Sequence, residues 1–231
     1  MKYTCKAVAL TYIKYNDTSI ISKLFTEKKG LQSFLVKGVY SKKSRKKIGF
    51  FQPLQLIHIS AYHKLKSSLH HLNEVSIAEA PFTNNLNSSF LSLFIAEVLS
   101  KTLQENIFDN NLFQFIWKTK IDLNSMQKIP SNYTLDFLIN LSGFFGFKPL
   151  HIPAKNSYFD LEKGVFIRNQ NKHTLNIKKS YYLSELLLNK NIEIPKKQRK
   201  ELLQDLILYY KYQHHEIKNL SSHSILESLN K

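Results

Sequence analysis

Residues 20–38 read IISKLFTEKKGLQSFLVKG, two short apolar runs separated by a charged turn. The runs, Ile20–Phe25 and Leu31–Val36, have the length and the content of branched and aromatic side chains that are typical of strands. A lysine pair followed by Gly30 lies between them, and glycine readily adopts the left-handed backbone that tight hairpin turns use. The stretch therefore predicts a β-hairpin whose second strand ends at Gly38.

Strand-like patterns continue on both sides of this hairpin. The preceding run has a period of two, and one of its sides consists of Tyr3, Cys5, Ala7, Ala9 and Ile13. After the hairpin, Pro53–Tyr62 and Leu69–Ile77 are expected to form a fourth and a fifth strand. Five short strands within about 80 residues are typical of a small β-barrel of the OB type.

From about residue 84 the apolar period becomes helical. The clearest helix has Ser88 and Ser89 as candidate caps, and its apolar face consists of Leu91, Phe94, Ile95, Val98, Leu99 and Thr102. The same period predicts further helices at residues 111–121, 132–145, 181–189, 195–212 and 223–229. The period is absent between the helices at residues 132–145 and 181–189, and a short inserted hairpin is expected there.

These patterns predict an α+β protein with two domains. A five-stranded OB-type barrel is expected at residues 1–80, and an α-helical domain at residues 81–231. The inserted hairpin lies in the second domain, at about residues 150–178. Because no long low-complexity linker separates the two domains, they are expected to pack together.

The net charge restricts the possible partners more than any other property of the composition. The chain has 33 basic and 17 acidic residues, a formal charge of +16, so its partner is expected to be polyanionic. Nucleic acid, an anionic membrane surface and an acidic protein segment all fit. A membrane protein needs an apolar anchor, and the chain has neither an apolar run of about 18 residues nor a signal-peptide pattern. We therefore expect a soluble, cytoplasmic protein.

The connection between the third and fourth predicted strands has the densest positive charge. No acidic residue occurs at positions 37–49, and the basic residues there are Lys37, Lys42, Lys43, Arg45, Lys46 and Lys47. Residues 1–80 contain 14 basic and 4 acidic residues, so the predicted barrel carries +10. A basic loop at the mouth of an OB barrel favours binding of nucleic-acid phosphates; a solvated, flexible loop is the alternative.

Aromatic side chains are interspersed with these charges. Unpaired bases could stack on Tyr12, Tyr15, Phe34, Tyr40 or Tyr62. Most of these rings are expected in the core, because a small barrel is filled with large side chains. Tyr15 and Tyr40 are the preferred candidates for base contacts because they lie at predicted strand ends.

A second basic cluster begins the helix that follows Pro195. Lys196, Lys197, Arg199 and Lys200 occupy its first residues, where each exposed cation opposes the helix dipole at a cost of about 0.3–1 kcal/mol. Unpaired backbone amides and cations together form a candidate anion receptor. An ordinary solvated helix face is the alternative interpretation.

The sequence contains no recognisable metal-binding or catalytic motif. Cys5 is the only cysteine, which excludes a cysteine-rich zinc site and an internal disulfide. The adjacent histidine pairs do not have the spacing that puts two ligands on one helical face. Phosphate-binding loops, nucleophile elbows and clustered acidic sites are also absent, so we expect a protein without cofactor that is not an enzyme.

Several stretches, in order and spacing, resemble the RecO family of recombination mediators, in the form found in Bacteroidetes-like bacteria. In the first half the similar stretches are AVAL at 7–10, YNDTS at 15–19, LFTEKKGL at 24–31, FLVKGV at 34–39 and FQPL at 51–54. In the second half they are LFIAEVL at 93–99, LSGFFGFKP at 141–149, YFDLEKGVF at 158–166 and LILYY at 206–210.

The resemblance implies an OB fold and a helical domain that act in recombinational DNA repair, in the cytoplasm at the nucleoid. It implies binding of single- and double-stranded DNA, annealing of complementary strands, and cooperation with RecR to load RecA. It also implies contact with the acidic C-terminal tail of single-stranded DNA-binding protein. A groove with Phe144 and Phe145 as walls and Arg199 and Lys200 as cations is the candidate tail site.

Many members of the family hold zinc through four cysteines in the inserted hairpin. This chain has no cysteine there, so its hairpin at 158–167 is expected to be held by packing alone and to lack zinc. The alternative function is that of an RNA-binding OB-fold protein in translation or ribosome assembly, which charge and barrel would serve equally. A nuclease is a more distant alternative.

Overall fold

The computed structural model describes residues 2–41, 47–62, 67–79, 86–105, 107–150, 157–213, 220 and 222. Its first part is a closed barrel of five strands, which confirms the predicted OB-type fold. The strands are β1 (Lys2–Lys14), β2 (Ile20–Thr26), β3 (Gly30–Val36), β4 (Leu56–Tyr62) and β5 (Leu69–Ile77). They pair in the order β1, β2, β3, β5, β4 and back to β1, and only β3 and β5 are parallel.

An irregularity in β1 changes which of its side chains face the barrel core. The register between β1 and β2 shifts between Ala9 and Thr11, which is the effect of an extra residue in one strand. Because side chains alternate along a strand, the shift turns Ile13 to the surface, where 64% of it is exposed. The prediction that Ile13 lies on the same side of the strand as Cys5 and Ala7 was therefore wrong, because Cys5 and Ala7 lie in the core.

β4 begins at Leu56, later than the apolar pattern predicts. A short 3-10 helix, Ile48–Phe51, precedes it, and Leu54 has a left-handed backbone with φ of +57°. The N–H of Leu54 donates to the carbonyl of Ala9 at 2.8 Å, so this segment turns onto β1 instead of extending β4. Phe51 and Leu54 are completely buried, and this burial compensates for the strained backbone.

Two helices cover part of the outer barrel wall. Helix α1 (Leu86–Thr102) packs on β1, and helix α2 (Asn110–Ser125) brings Phe113 to Phe25, with ring centroids 5.8 Å apart. Val8 and Leu10 lie outside the barrel core cluster but are completely buried, because the wall is covered on this side.

The caps of the first helix differ from the prediction. α1 starts at Leu86, so Ser88 and Ser89 lie inside its first turn. Ser88 is buried and its hydroxyl donates to the carbonyl of Leu123 in α2 at 3.2 Å. At the start of α2 the cap is Asp109, whose carboxylate accepts two backbone N–H groups. Tertiary packing of α1 on α2 therefore decides the role of Ser88.

The remaining elements form a second compact unit. They are α3 (Tyr133–Phe144), β6 (Tyr158–Asp160), β7 (Val165–Ile167), α4 (Ile177–Leu187) and α5 (Lys196–Tyr212). Helices α3 and α5 pack against each other: Tyr210 Oη, near the end of α5, donates to Leu138 O in the middle of α3. Asn132 Nδ2, just before α3, donates to Ile192 O in the segment that precedes α5. Strands β6 and β7 form the predicted inserted hairpin.

By contacts, the described residues of Met1–Ile129 with Leu220 and Ser222 form one unit, and those of Pro130–Asn219 form the other. The change from strands to helices falls near residue 80, but α1 and α2 belong to the barrel unit because they pack on it. The boundary at residue 80 stays a prediction. The predicted helix at 223–229 lies outside the described residues, and no helix within them is long and apolar enough to cross a membrane.

Candidate nucleic-acid interface

One rim of the barrel brings together residues that are distant in sequence. Lys14 at the end of β1 pairs with Ile20, and Ile20 pairs with Val36 at the end of β3. Tyr15 and Lys37 directly follow these strand ends, so they leave the barrel at the same rim, roughly 10 Å or two strand spacings apart. Lys37 is exposed, and 58% of Tyr15 is exposed.

The basic loop is anchored in the barrel core at both of its described ends. After β3, the N–H of Ser41 donates to the carbonyl of Gly38 at 3.1 Å, and Val39 inside this turn is buried. Tyr40 is consequently held at the rim with 47% of its surface exposed. At the far end, exposed Lys47 precedes the short helix that buries Phe51. Between these ends, Lys42, Lys43, Arg45 and Lys46 lie outside the described residues.

The other aromatic candidates are divided between core and surface. Phe34 is completely buried and its ring lies 5.8 Å from that of His70. Tyr12 is partly buried against the barrel core. Tyr62, at the end of β4, is 48% exposed. The sequence pattern did not favour Tyr62, although its position at a strand end was the criterion that favoured Tyr15 and Tyr40.

Lys14 is a rim cation that the sequence pattern did not single out. Its side chain is 63% exposed, and its Nζ lies 3.4 Å from Asp17 in the turn between β1 and β2. Sequence distance separates it from the basic loop, and only the pairing of three strands places it at the same rim. The signal that could have found it is the short connection at residues 15–19, which favours antiparallel pairing of the first strand with the predicted hairpin.

The residues proposed for binding a partner tail form two pairs in the second unit. Phe144 and Phe145 are half-buried, and the ring of Phe145 stacks on Phe147 at 6.1 Å. At the start of α5, Arg199 Nη1 donates to the carbonyl of Ile194 at 2.6 Å, and Lys200 is exposed.

The two pairs lie at different ends of α5. The end of α3 meets α5 at Tyr209, whose hydroxyl donates to the carbonyl of Phe147. From Arg199 to Tyr209 the helix rises roughly 15 Å, so the pairs do not form one compact pocket. An extended peptide of about five residues has the length to reach both.

The inserted hairpin is organised around the carboxylate of Asp160, which is completely buried. Its Oδ1 accepts the N–H groups of Glu162 and Lys163, both at 3.0 Å, and its Oδ2 accepts from Asn171 Nδ2 at 2.8 Å. Burial raises the pKa of Asp160, but the hydrogen bonds from Asn171, Lys163 and Glu162 outweigh it, so the pKa lies below its usual value. Hydrogen bonds as well as packing therefore hold the hairpin, which corrects the expectation of packing alone.

The residues of the hairpin do not fit the zinc that many RecO proteins are expected to hold there. Among the described residues there is no group of three histidine, cysteine, aspartate or glutamate side chains that could bind a metal ion. Cys5 lies in β1, in the barrel core, and burial raises the pKa of its thiol to about 11. Cys5 therefore supplies no ligand to the hairpin, which is formed by β6 and β7.

Comparison with known proteins agrees with this architecture. The family model described as "Recombination protein O N terminal" matches residues 1–81. The chain is 30% identical over 239 residues to a DNA repair protein RecO of Azobacteroides pseudotrichonymphae, covering 99% of each chain. It is 30% identical to that of Flavobacterium psychrophilum, also over 99% of each chain, and 34% identical to that of Bacteroides fragilis over 69% of this chain and 67% of the relative.

These matches cover both compact units and define a class of DNA repair proteins with an N-terminal OB-type barrel. The chain belongs to the RecO family. Its role therefore lies in DNA repair and recombination.

Proposed function

We propose that this protein is a recombination mediator that binds single- and double-stranded DNA and anneals complementary strands. In this proposal it also helps to load RecA onto strands covered by single-stranded DNA-binding protein. The observation that carries the proposal is the barrel rim, where Tyr15, Lys37 and Tyr40 are exposed together. Binding and strand exchange require no covalent chemistry, so no residue is assigned a catalytic role.

The rim would act on DNA through two kinds of contact. Its cations would neutralise phosphates and release counterions, an effect that does not depend on base sequence. The cations proposed for this role are those of the basic loop, Lys37, Lys42, Lys43, Arg45, Lys46 and Lys47, together with Lys14 at the end of β1. Tyr15 and Tyr40 would stack on unpaired bases, each stacked base contributing about 1–3 kcal/mol. Two DNA strands that are held only by their backbones can still slide until their complementary bases align, which annealing requires.

The second unit would recruit the protein partners. An acidic C-terminal tail of single-stranded DNA-binding protein would place its carboxylates near Arg199 and Lys200 and an apolar residue against Phe144 and Phe145. Such a tail must be extended to span both pairs. Displacement of the single-strand binder, together with RecR, would then give RecA access to the strand.

A titration of matched DNA and RNA oligonucleotides tests the proposal, with annealing and cleavage followed on the same gel. We expect tight, salt-dependent binding of single- and double-stranded DNA, faster annealing of complementary DNA, and no cleavage. Preference for RNA without annealing of DNA would support instead an RNA-binding protein of translation or ribosome assembly. Cleavage that co-purifies with the protein and survives removal of contaminants would support a nuclease.

A further inference from the structure

The part of the barrel wall outside α1 and α2 has an ordered row of side chains. Strand pairing joins Ile13 to Ile21, Ile21 to Leu35, Leu35 to His71, and His71 to Tyr62. Residues directly opposite each other in a sheet project to the same face. Ile21, Leu35 and His71 each alternate with buried neighbours, so their side chains point away from the barrel core. We call these five residues the outer row.

The outer row is accessible and largely apolar. Ile13 is 64% exposed and Tyr62 is 48% exposed, while the other three residues are half-buried. This differs from the wall near Val8, Leu10 and Phe25, which is completely covered. An apolar row left open on a barrel whose other side is covered indicates a binding surface.

The charges around the outer row are mainly positive. The neighbouring row contains Lys23, which pairs with Thr11 on one side and Ser33 on the other. Lys14 and Lys37 lie at the rim, one residue after Ile13 and two after Leu35 in sequence. Lys2, which pairs with Tyr62, adds a fourth lysine. The carboxylates near these rows include Asp17, paired with Lys14 at 3.4 Å, and Glu105, which accepts from Ser33 Oγ at 3.3 Å. Glu74 of β5, three residues after His71, is also exposed. The partner should therefore combine apolar faces with negative charge.

We propose that the outer row contacts the unpaired bases of single-stranded DNA and makes the barrel prefer single strands over duplex. This inference rests on the proposed DNA binding and assigns its strand selectivity to particular residues. Phosphates are accessible in both forms of DNA, so the rim cations act on both. The faces of the bases are accessible only in a single strand, because in a duplex they are stacked inside. An apolar surface therefore discriminates where cations do not.

The test uses Ile13→Ser combined with Tyr62→Ser, the two most exposed members of the outer row. Binding of fluorescent oligo-dT should weaken about tenfold, as expected for the loss of one or two base contacts. Binding of a duplex of equal length should stay within about twofold. The slope of log affinity against log salt should be unchanged for both, because no phosphate contact is removed.

Two controls separate a base contact from a general defect. Ile177→Ser with Tyr181→Ser removes side chains of similar character from α4, where they are 41% and 53% exposed, and should bind oligo-dT normally. An oligomer of abasic sugar phosphates should bind the original protein and the Ile13 and Tyr62 variant equally. Thermal melting and the conservative variant Ile13→Val with Tyr62→Phe, which should retain binding, confirm that the fold is intact.

Specific results would overturn this inference. If the original protein binds oligo-dT and the variant binds it equally well, the outer row does not contact bases. If the variant loses duplex and single strand in parallel, the row has no role in strand selectivity. If only capture of a protein partner weakens, the row is a protein-docking surface. Failure of the original protein to bind any DNA would instead contradict the proposed function itself.

Discussion

The barrel and the second unit both have an excess of basic residues, but they differ in the size of this excess and in how exposed their ion pairs are. Residues 1–80 contain 14 basic and 4 acidic residues, and residues 130–219 contain 14 basic and 8 acidic residues. In the second unit, Lys179 pairs with Asp205, and the two side chains are only 16% and 20% exposed. At the barrel rim, Lys14 pairs with Asp17; the Lys14 side chain is 63% exposed and that of Asp17 is fully exposed.

This difference shows which unit can offer charge to a polyanion. An exposed ion pair contributes about 0–1 kcal/mol and is screened by salt, so the rim loses little when Lys14 exchanges Asp17 for a phosphate. The pair of Lys179 and Asp205 joins α4 to α5 and is largely shielded from solvent, so breaking it would leave a partly buried charge. We therefore expect cations at the rim to affect DNA binding and buried polar groups of the second unit to affect stability.

The largest effect is expected from reversing the charge of the barrel loop. Changing Lys42, Lys43, Lys46 and Lys47 to Glu should weaken DNA binding on the order of a hundredfold or more at low salt, equally for all base sequences. The dependence of affinity on salt should become flatter because fewer counterions are released. Fluorescence anisotropy at several salt concentrations measures both quantities.

The matched control makes the same change of net charge elsewhere. It reverses four lysines that are exposed outside the barrel rim: Lys128, Lys163, Lys172 and Lys178. This control should lower affinity far less and leave the salt dependence nearly unchanged. An unchanged salt slope in the loop variant would show that phosphates are bound elsewhere.

The next largest effect is expected on the stability of the second unit. Asp160→Ala removes the acceptor of two backbone N–H groups and one side-chain amide, and the loss of these three partly buried hydrogen bonds should cost about 3 kcal/mol. Urea unfolding, followed in the variant and the original protein, measures this loss. Asp17→Ala, at a fully exposed carboxylate, is the control and should change nothing.

The same carboxylate should make stability depend on pH. The pKa of Asp160 is lowered in the folded protein, so its contribution is fully present above the unfolded pKa of about 4 and is lost as the pH falls through the lower folded value. The difference between the original protein and Asp160→Ala should therefore be constant near neutral pH and shrink in acid. A variant that unfolds at the same urea concentration as the original would contradict this role.

A smaller effect is expected from the basic start of α5. Arg199→Ala with Lys200→Ala should weaken binding of an acidic C-terminal peptide from single-stranded DNA-binding protein about tenfold, while DNA affinity changes less than twofold. DNA can move to the larger charge of the barrel, but a short peptide has few other contacts. Stability should change by less than about 1 kcal/mol, because the lost hydrogen bond from Arg199 to Ile194 O is offset by relief of repulsion from the helix dipole.

Calorimetric titration of the peptide, beside a thermal melt, measures this effect. Lys172→Ala with Lys178→Ala removes two exposed cations elsewhere in the unit and should leave peptide binding intact. Reduced DNA binding with normal peptide binding would show that the cluster extends the DNA path. A variant without either defect would identify the cluster as a solvated helix face.

No effect at all is expected from removing metal. The described hairpin residues contain no set of metal ligands, and Asp160 supplies the hydrogen bonds that hold the turn. Incubation with a chelator should leave the thermal midpoint unchanged, and elemental analysis should find no stoichiometric zinc. About one zinc per chain would show that ligands outside the described residues bind it.

Regular patterns in the sequence were sufficient to predict the elements of the barrel. The hairpin of β2 and β3 and the strand at Leu69–Ile77 were predicted within a residue of their ends, because strands with one face in a core must alternate. Ile13 was misplaced because the irregularity after Ala9 leaves no mark in the apolar period. Ser88 was misassigned as a cap because its partner, Leu123, is distant in the sequence.

The candidate sites were predictable only where charge is concentrated in consecutive residues. The basic loop was visible from composition, and the strand ends identified Tyr15 and Tyr40. The distance between Phe145 and Arg199 was not visible, because it depends on how α3 and α5 pack together. The outer row was equally invisible, since it takes one residue from each of five strands.

The sequence by itself determined the strand and helix periods, the basic excess of the barrel and the absence of cysteines from the hairpin, because these are properties of neighbouring residues. Only the tertiary structure decided that Val8 and Leu10 are covered whereas Ile13 is open, and that Asp160 organises the hairpin. These outcomes depend on contacts between residues far apart in the chain. The physical reason is that burial and hydrogen bonding are set by whichever element packs against a side chain, and local sequence does not specify that element.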